Sequence, residues 1–138
     1  MRNFATFELV DRETYEAMRD SALILFNPDA LIALDDLRDF FGKNITVNNW
    51  SWGGKFQWRG FRTKACKEYR LNSQHTRGNA FDCDIQGYTA EQARQEILAN
   101  KDHPLLKKIT RMEAGVQWLH FDLGKVPPGQ ARIYLFRA

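Results

Sequence analysis

Two short segments that lie far apart in the chain alternate apolar and polar side chains. The alternation covers residues 80–85 and recurs in residues 118–123. A period of two predicts β-strands that turn one face to the core and the other to a cleft. The cleft faces carry Asp82 and His120, so pairing of the two strands would bring these side chains together. A shift of one residue in the pairing register of either strand would turn its Asp82 or His120 side chain into the core.

A second histidine precedes the first of these segments. The residues from Ser73 to Asp82 spell S-x-H-x-x-G-x-A-x-D, with His75 at the third position. His75, Asp82 and His120 offer two neutral imidazoles and one carboxylate, a set that zinc accepts. Three protein ligands leave a fourth position for water, whereas a structural zinc site usually closes with four ligands, often cysteines. The sequence therefore predicts a catalytic zinc site and a hydrolase.

This motif, followed much later by W-x-H, resembles the M15 peptidases, which are zinc D-Ala-D-Ala carboxypeptidases and L-alanyl-D-glutamate endopeptidases. The phage-type group of the family is the most similar, because the chain also has R-G-F-R at residues 59–62 and W-x-H-x-D at residues 118–122. The resemblance extends over about residues 45–124. It implies an α+β fold of the Hedgehog/DD-peptidase type, Zn2+ as the cofactor and peptidoglycan stem peptides as the substrate.

The resemblance also implies roles for residues around the metal. Ser73 would support the loop that carries His75, and Gly78 would allow close approach of the backbone. Arg62 would contact the substrate or polarise the scissile carbonyl, because a guanidinium can grip a carboxylate or carbonyl with paired donors. Without the resemblance, a surface salt bridge would be the simpler interpretation of Arg62.

The catalytic base has two candidates in the sequence. Well-known M15 peptidases carry an acid three residues before the second zinc histidine, but here that position is Gln117, which cannot titrate. Glu113, further upstream, is the first candidate. Asp122 is the second, although it could instead orient an active-site group from beside the metal.

The role of Glu113 depends on the turn that follows it. A tight hairpin at residues 114–115 would set Glu113 opposite Val116 and about 13 Å from His120 along the strand, which is too far for catalysis. Glu113 can act only if residues 113–117 form a wider loop that folds back over the metal.

Length and composition indicate a single domain over residues 1–138. A chain of this length has the common size of a domain, and 43% hydrophobic and 27% charged residues are typical of globular proteins. No segment approaches the ~20 apolar residues of a membrane span. Acids at Glu8, Asp11 and Glu13 interrupt the N-terminal segment before a signal-peptide core develops. We therefore expect synthesis in the cytoplasm without a signal peptide, and we expect a monomer. The resemblance implies action at the bacterial cell wall if the chain is a phage-type lysis enzyme.

The cysteines and the net charge add little constraint. Cys66 and Cys83 lack the spacing of a cysteine metal site, and we expect two reduced, buried thiols, with a bridge between them as the alternative. The net charge of +3 and the pI near 9.0 favour an anionic partner.

Helix and strand signals predict an α+β chain with a small, mainly antiparallel sheet and flanking helices. Asp11 and Asn27 are plausible N-caps of helices that end near Phe26 and at Gly42. A capping box opens a third helix after Thr89. Strands are predicted at residues 45–50, 80–85, 108–113, 118–123 and 131–136.

The sequence thus favours a zinc metallopeptidase that cleaves peptidoglycan peptides, of phage or prophage type. Because Gln117 replaces the usual acid, the alternative is a catalytically inactive, zinc-containing wall-binding or phage structural module. The aromatic, basic segment from Trp50 to Trp58 suggests a third class, since bases stack on aromatic rings beside cations. Its aromatic residues show no repeat and its cations no long cluster, so nucleic acid is not the expected partner.

Overall fold

Three α-helices and a five-stranded mixed sheet form the computed structural model, which describes residues 1–138. The fold class is α+β, as the sequence predicts. None of the helices is both long and apolar enough to cross a membrane. The α-helices are α1 (Arg12–Met18), α2 (Pro28–Phe41) and α3 (Ala90–Ala99). The strands are β1 (Ile45–Thr46), β2 (Ala80–Ile85), β3 (Arg111–Glu113), β4 (Leu119–Asp122) and β5 (Tyr134–Phe136).

The strand order in the sheet is β1-β2-β4-β3-β5. The pairings of β1 with β2, β2 with β4 and β4 with β3 are antiparallel. The last strand, β5, instead runs parallel to β3 and pairs Tyr134 with Arg111. The sheet is therefore mixed but mainly antiparallel, as predicted, and its one parallel pairing lies at an edge.

Local capping signals set the ends of α2 and α3. The Asn27 side chain accepts a hydrogen bond from the N–H of Asp29, and Gly42 ends α2 in the left-handed region with a φ of 63°. Thr89 and Gln92 close a capping box at the start of α3. Both helices are confirmed, because the signals that set them lie within a few residues of each helix end.

The first predicted helix is divided. Asp11 caps α1 as expected, but Arg19 adopts a positive φ of 51° and a 3-10 helix (Arg19–Leu25) follows. At this break the hydroxyl of Ser21 donates to the Met18 carbonyl. Such a side-chain bond to the backbone competes with the regular helical pattern. A single helix from Asp11 to Phe26 is therefore wrong.

Three predicted strands keep half of their length or less, and the strand predicted at residues 118–123 loses one residue at each end. The clearest case is β1, after which the chain turns toward the N-terminal segment. The N–H of Asn48 donates to the Glu8 carbonyl at 2.9 Å, and the Asn48 and Trp50 side chains donate to the Val10 carbonyl at 3.1 and 2.7 Å. These bonds take residues 48–50 out of the sheet. The shortened predictions are residues 45–50, 108–113 and 131–136.

Strands β2 and β4 separate the hydrophobic core from a cleft. Their register pairs Phe81 with Phe121 on one face and Asp82 with His120 on the other. Phe81 and Phe121 are fully buried, and the Phe81 ring stacks on Phe26 with centroids 5.4 Å apart. Burial of each ring stabilises the fold by roughly 1.5–3 kcal/mol. The predicted alternation of core and cleft faces is confirmed.

Both cysteines are free and buried. Burial raises the pKa of the Cys66 thiol, and it raises that of Cys83 further, with Asp82 and Asp84 adding to the effect. The prediction of reduced, buried thiols is confirmed.

Candidate metal centre

Three elements bring two histidines and a carboxylate together on the polar face of the sheet. Asp82 lies on β2 opposite His120 on β4, and His75 lies on the loop that precedes β2. All three are buried, with exposed fractions of 3% for His75, 5% for Asp82 and 6% for His120. One potential ligand atom of each lies within 4.8 Å of the other two. This group can therefore hold a metal ion.

Ser73 and Gly78 shape the loop that carries His75. The Ser73 hydroxyl accepts a hydrogen bond from the backbone N–H of His75 at 3.2 Å. Gly78 has a φ of 72°, and a Cβ at this position would overlap the Leu25 carbonyl oxygen. The Gly78 carbonyl also accepts from the N–H of Asn27 at 3.0 Å. The loop is thus held against the segment before α2, and only glycine fits at this close approach.

The hydrogen bond at Nδ1 determines the tautomer of His75. Nδ1 lies 2.9 Å from the Gly60 carbonyl oxygen, which can only accept. Nδ1 must therefore carry a proton. In the neutral ring the lone pair is then on Nε2, which lies 3.3 Å from Asp82 Oδ2. Nε2 is the atom of His75 that is available to a cation.

His120 lies between two carboxylates. Its Nδ1 is 2.8 Å from Asp82 Oδ1, and its Nε2 is 2.8 Å from Asp122 Oδ2. Asp122 is held by Arg111 at 2.7 and 2.9 Å and by the N–H of Gly124 at 2.9 Å. A carboxylate that receives one ring N–H fixes the orientation of the histidine and leaves its other nitrogen for a metal. Nδ1 is therefore the atom of His120 that can face a cation.

The charged groups of the centre stabilise one another. Burial alone would raise the pKa of Asp82, but His75 and His120 outweigh burial and hold it well below its usual range. Burial also opposes ionisation of Asp122, but hydrogen bonds from His120 and Arg111 lower its pKa. Burial would lower the pKa of His120, whereas its bonds to Asp122 and Asp82 raise it to about 9. Both carboxylates are thus anionic at neutral pH, the form that binds cations.

Glu113 on β3 lies opposite His120 on the neighbouring strand β4. The register pairs Arg111 with Asp122 and Met112 with Phe121, and one further step places Glu113 opposite His120. Facing residues of antiparallel strands point to the same side with Cβ atoms ~4.5–5.5 Å apart. Glu113 is half-buried and lines the same cleft as the two histidines.

The turn after Glu113 is wider than a tight hairpin. Residues 114–118 form a five-residue loop between β3 and β4. The geometry in which Glu113 faces Val116 is therefore wrong. The loop is wider than a tight hairpin, but Val116 and Gln117 line the cavity beside α3, so the loop does not fold back over the candidate metal ligands as expected.

Arg62 also lies in the cleft, where it contacts a potential metal ligand. Its Nη2 donates to Asp82 Oδ2 at 3.0 Å, and its Nε donates to the Trp58 carbonyl at 2.9 Å. The Arg62 side chain is 19% exposed and that of Asp82 is 7% exposed, so this ion pair is not an open surface salt bridge. Nη1 forms no hydrogen bond within the chain and is available to a ligand in the cleft.

Gln117 lies outside the cleft. It is exposed, belongs to the loop between β3 and β4, and lines a separate cavity beside α3 together with Tyr88 and Leu119. Its inability to titrate therefore does not decide whether the cleft contains a base.

Two residues of the centre were not predicted from the sequence. Arg111 holds Asp122, and its signal was its alternation with Glu113 on one face of a predicted strand. The Phe136 ring packs edge-on against His120 with centroids 5.5 Å apart and lies 4.5 Å from the Arg111 guanidinium. No local signal identifies Phe136, because its position depends on the parallel pairing of β5 with β3.

His75, Asp82 and His120 line a cleft of about 710 Å³. Its walls carry aromatic and basic side chains, among them Phe56, Trp58, Trp118, Lys55 and Arg59. No protein-family model, curated protein or solved structure matches the chain.

Proposed function

We propose that this protein is a zinc-dependent peptidase that hydrolyses peptide bonds in the stem peptides of bacterial peptidoglycan. The observation that carries the proposal is the placement of His75, Asp82 and His120 in one cleft with Glu113 opposite His120. The resemblance of their motifs to the M15 peptidases supplies the substrate class and the Hedgehog/DD-peptidase fold type.

The donor set fits zinc better than harder cations. Two imidazole nitrogens and one carboxylate oxygen match catalytic zinc sites, whereas Mg2+ and Ca2+ prefer oxygen ligands alone. Cys83 points to the core and does not complete a fourth ligand position. Bound zinc would polarise the scissile carbonyl and lower the pKa of water toward ~7. Three protein ligands in an open cleft support a catalytic site.

Glu113 is the proposed general base. It would accept a proton from the attacking water and later donate it to the leaving amine. Its half-buried position opposite His120 supports this role. Asp122 is less suited to it, because each Asp122 oxygen already accepts two hydrogen bonds. On this proposal Asp122 orients His120 and does not exchange protons with the substrate.

Arg62 is the proposed substrate contact. Arg62 has a free Nη1 and lines a cleft of a size that encloses small ligands, ~300–1,000 Å³. A guanidinium there can donate to the carbonyl or carboxylate of a bound peptide. The Asp82 contact would hold the guanidinium in place for this interaction.

The test combines metal analysis with digestion of purified peptidoglycan. The protein is reconstituted with zinc, its metal content is measured, and released peptides are identified by mass spectrometry with and without chelator. About one zinc ion per chain and chelator-sensitive release of wall peptides would support the proposal and identify the cleaved bond. Glu113→Gln serves as the control for contaminating peptidases.

Two results would contradict this function. If the protein binds no zinc after reconstitution, the proposed zinc site is wrong. A chain that binds zinc and releases no peptide would instead be a metal-containing wall-binding or phage structural module, and its melting temperature would then depend on zinc without hydrolysis.

A further inference from the structure

Arg94 lies on α3, outside the cleft, and is buried with an exposed fraction of 3%. Its guanidinium makes five hydrogen bonds. Two reach the Glu91 carboxylate at 3.3 and 3.4 Å. The other three reach the backbone carbonyls of Glu113 at 3.4 Å, Val116 at 3.0 Å and Trp118 at 3.1 Å. One side chain thus binds the start, the middle and the end of the same loop.

That loop separates the proposed base from a metal ligand. Glu113 is the last residue of β3, and Trp118 lies two residues before His120. In a tight hairpin, backbone groups near the turn would pair with each other, but the wide loop leaves carbonyls that need other donors. Arg94 supplies these donors from the side of α3. The wide loop therefore leaves free the backbone carbonyls to which Arg94 donates its hydrogen bonds.

We propose that Arg94 is a positioning residue that holds the loop at the width that places Glu113 opposite His120. This inference rests on the proposed function, because it assigns Arg94 an effect on turnover through Glu113. Arg94 itself does not line the cleft but lines the separate cavity that contains Gln117.

Position 94 requires arginine because of the fork geometry of the guanidinium group. A planar guanidinium offers five N–H donors in a fixed fork, whereas a lysine ammonium is a point charge with three donors on a flexible stem. Lysine at position 94 could neutralise Glu91 and reach one of the carbonyls. The other carbonyls would lose their donor, and the loop could relax toward a tighter turn.

The experiment compares Arg94→Lys with Arg132→Lys. Arg132 is a matched control because it also donates to three backbone carbonyls, those of Lys101, Leu106 and Ile109, and none of these residues lines the cleft. Both variants should lower the melting temperature. Only Arg94→Lys should lower kcat, by about a hundredfold, as expected when a catalytic group is displaced by about 1 Å. Zinc content and KM should stay near their wild-type values.

A double variant separates positioning from a general loss of structure. If Arg94 acts through Glu113, Arg94→Lys should cause no further fall in kcat on the Glu113→Gln background. Amide hydrogen exchange supplies a readout that needs no activity. Residues 114–118 should exchange faster in Arg94→Lys and at the wild-type rate in Arg132→Lys. If Arg94→Lys does not fold, Glu91→Gln provides the same measurements with smaller effects.

The outcomes distinguish this inference from the proposed function. Equal losses of kcat in the two lysine variants, or additive losses with Glu113→Gln, would overturn the positioning role. If the wild-type protein does not cleave peptidoglycan, the proposed function fails, and amide exchange alone decides about Arg94. Unchanged exchange of residues 114–118 in Arg94→Lys would then overturn it, and selectively faster exchange would support its hold on the loop.

Discussion

Asp122 Oδ2 lies 2.8 Å from Nε2 of His120, while Arg111 holds both oxygens of the same carboxylate. This contact determines which nitrogen of His120 can bind a metal. In Asp122→Asn the ring loses its charged partner, and we expect zinc affinity to fall about 10–100-fold. Competition with a chromogenic chelator measures the affinity.

The control for this prediction is Asp84→Asn. Asp84 lies on β2, and its carboxylate pairs with Arg59 at 2.7 Å and with no histidine. Zinc affinity should stay unchanged in this variant. Equal losses of affinity in the two variants would contradict the orienting role of Asp122.

Removal of His75 should abolish stoichiometric zinc binding. His75→Ala leaves only Asp82 and His120, and two ligands do not form a stable zinc site. His103→Ala is the matched control, because His103 is exposed, does not line the cleft, and its Nδ1 accepts from the N–H of Leu105. Metal analysis after dialysis checks both. Stoichiometric zinc in His75→Ala would refute the ligand assignment.

Glu113→Gln should keep zinc and lose turnover by about 10²–10⁴-fold, the usual contribution of a general base. The measurement is the rate of peptide release at saturating substrate. Gln117→Glu in the same background should not restore activity, because position 117 lies outside the cleft. Restoration by Gln117→Glu, or full activity of Glu113→Gln, would assign the base elsewhere.

The metal-free protein should lose stability as the pH rises above neutrality. The pKa of His120 is about 9 in the folded chain, against about 6.5 for an ordinary histidine. Because the folded state binds this proton more tightly, the stabilisation is fully present below about pH 6.5 and is lost as the pH rises through 9. Asp82 and Asp122 have lowered pKa values and stay ionised throughout this range.

Urea unfolding in the presence of chelator, from about pH 6 to 10, measures this dependence. His120→Asn lacks the titrating group, so its free energy of unfolding should change less over the same range. Identical pH dependence in the wild-type protein and in His120→Asn would assign the slope to other groups.

Gly78→Ala should destabilise the fold more than Gly87→Ala. Both glycines have positive φ, 72° and 85°, so alanine costs about 1–2 kcal/mol at either position. A Cβ at Gly87 meets no atom within 4 Å, but at Gly78 it would overlap the Leu25 carbonyl oxygen. The overlap should bring the total for Gly78→Ala to about 2–5 kcal/mol. Equal free energies of unfolding in Gly78→Ala and Gly87→Ala would contradict this prediction, because they would show that the backbone near Leu25 can move away from the added Cβ without cost.

Features set by neighbouring residues could be predicted from the sequence. The alternation in β2 and β4 identified their core and cleft faces, and caps at Asn27 and Thr89 identified two helices. The proximity of Asp82 and His120 also followed from the polar faces of two paired strands, whereas that of His75, which lies on a loop, was predicted from the motif S-x-H-x-x-G-x-A-x-D.

Features set by distant residues could not be predicted. The parallel pairing that brings Phe136 beside His120 joins segments with no shared local signal. The width of the loop after Glu113 depends on Arg94, which lies on a helix 19 residues earlier. A glycine after Ala114 indicates a turn, but it does not report which side chain fills the space around the turn.

The three candidate ligands belong to different kinds of structural element. Asp82 and His120 face each other on paired inner strands, whereas His75 lies in residues 53–79, a stretch without helix or strand. Opening of that stretch requires no rupture of the sheet, and such local openings cost less free energy than global unfolding. Departure of a bound ion would therefore begin at His75, so its residence time would follow the motion of one loop while the other two ligands stay in place.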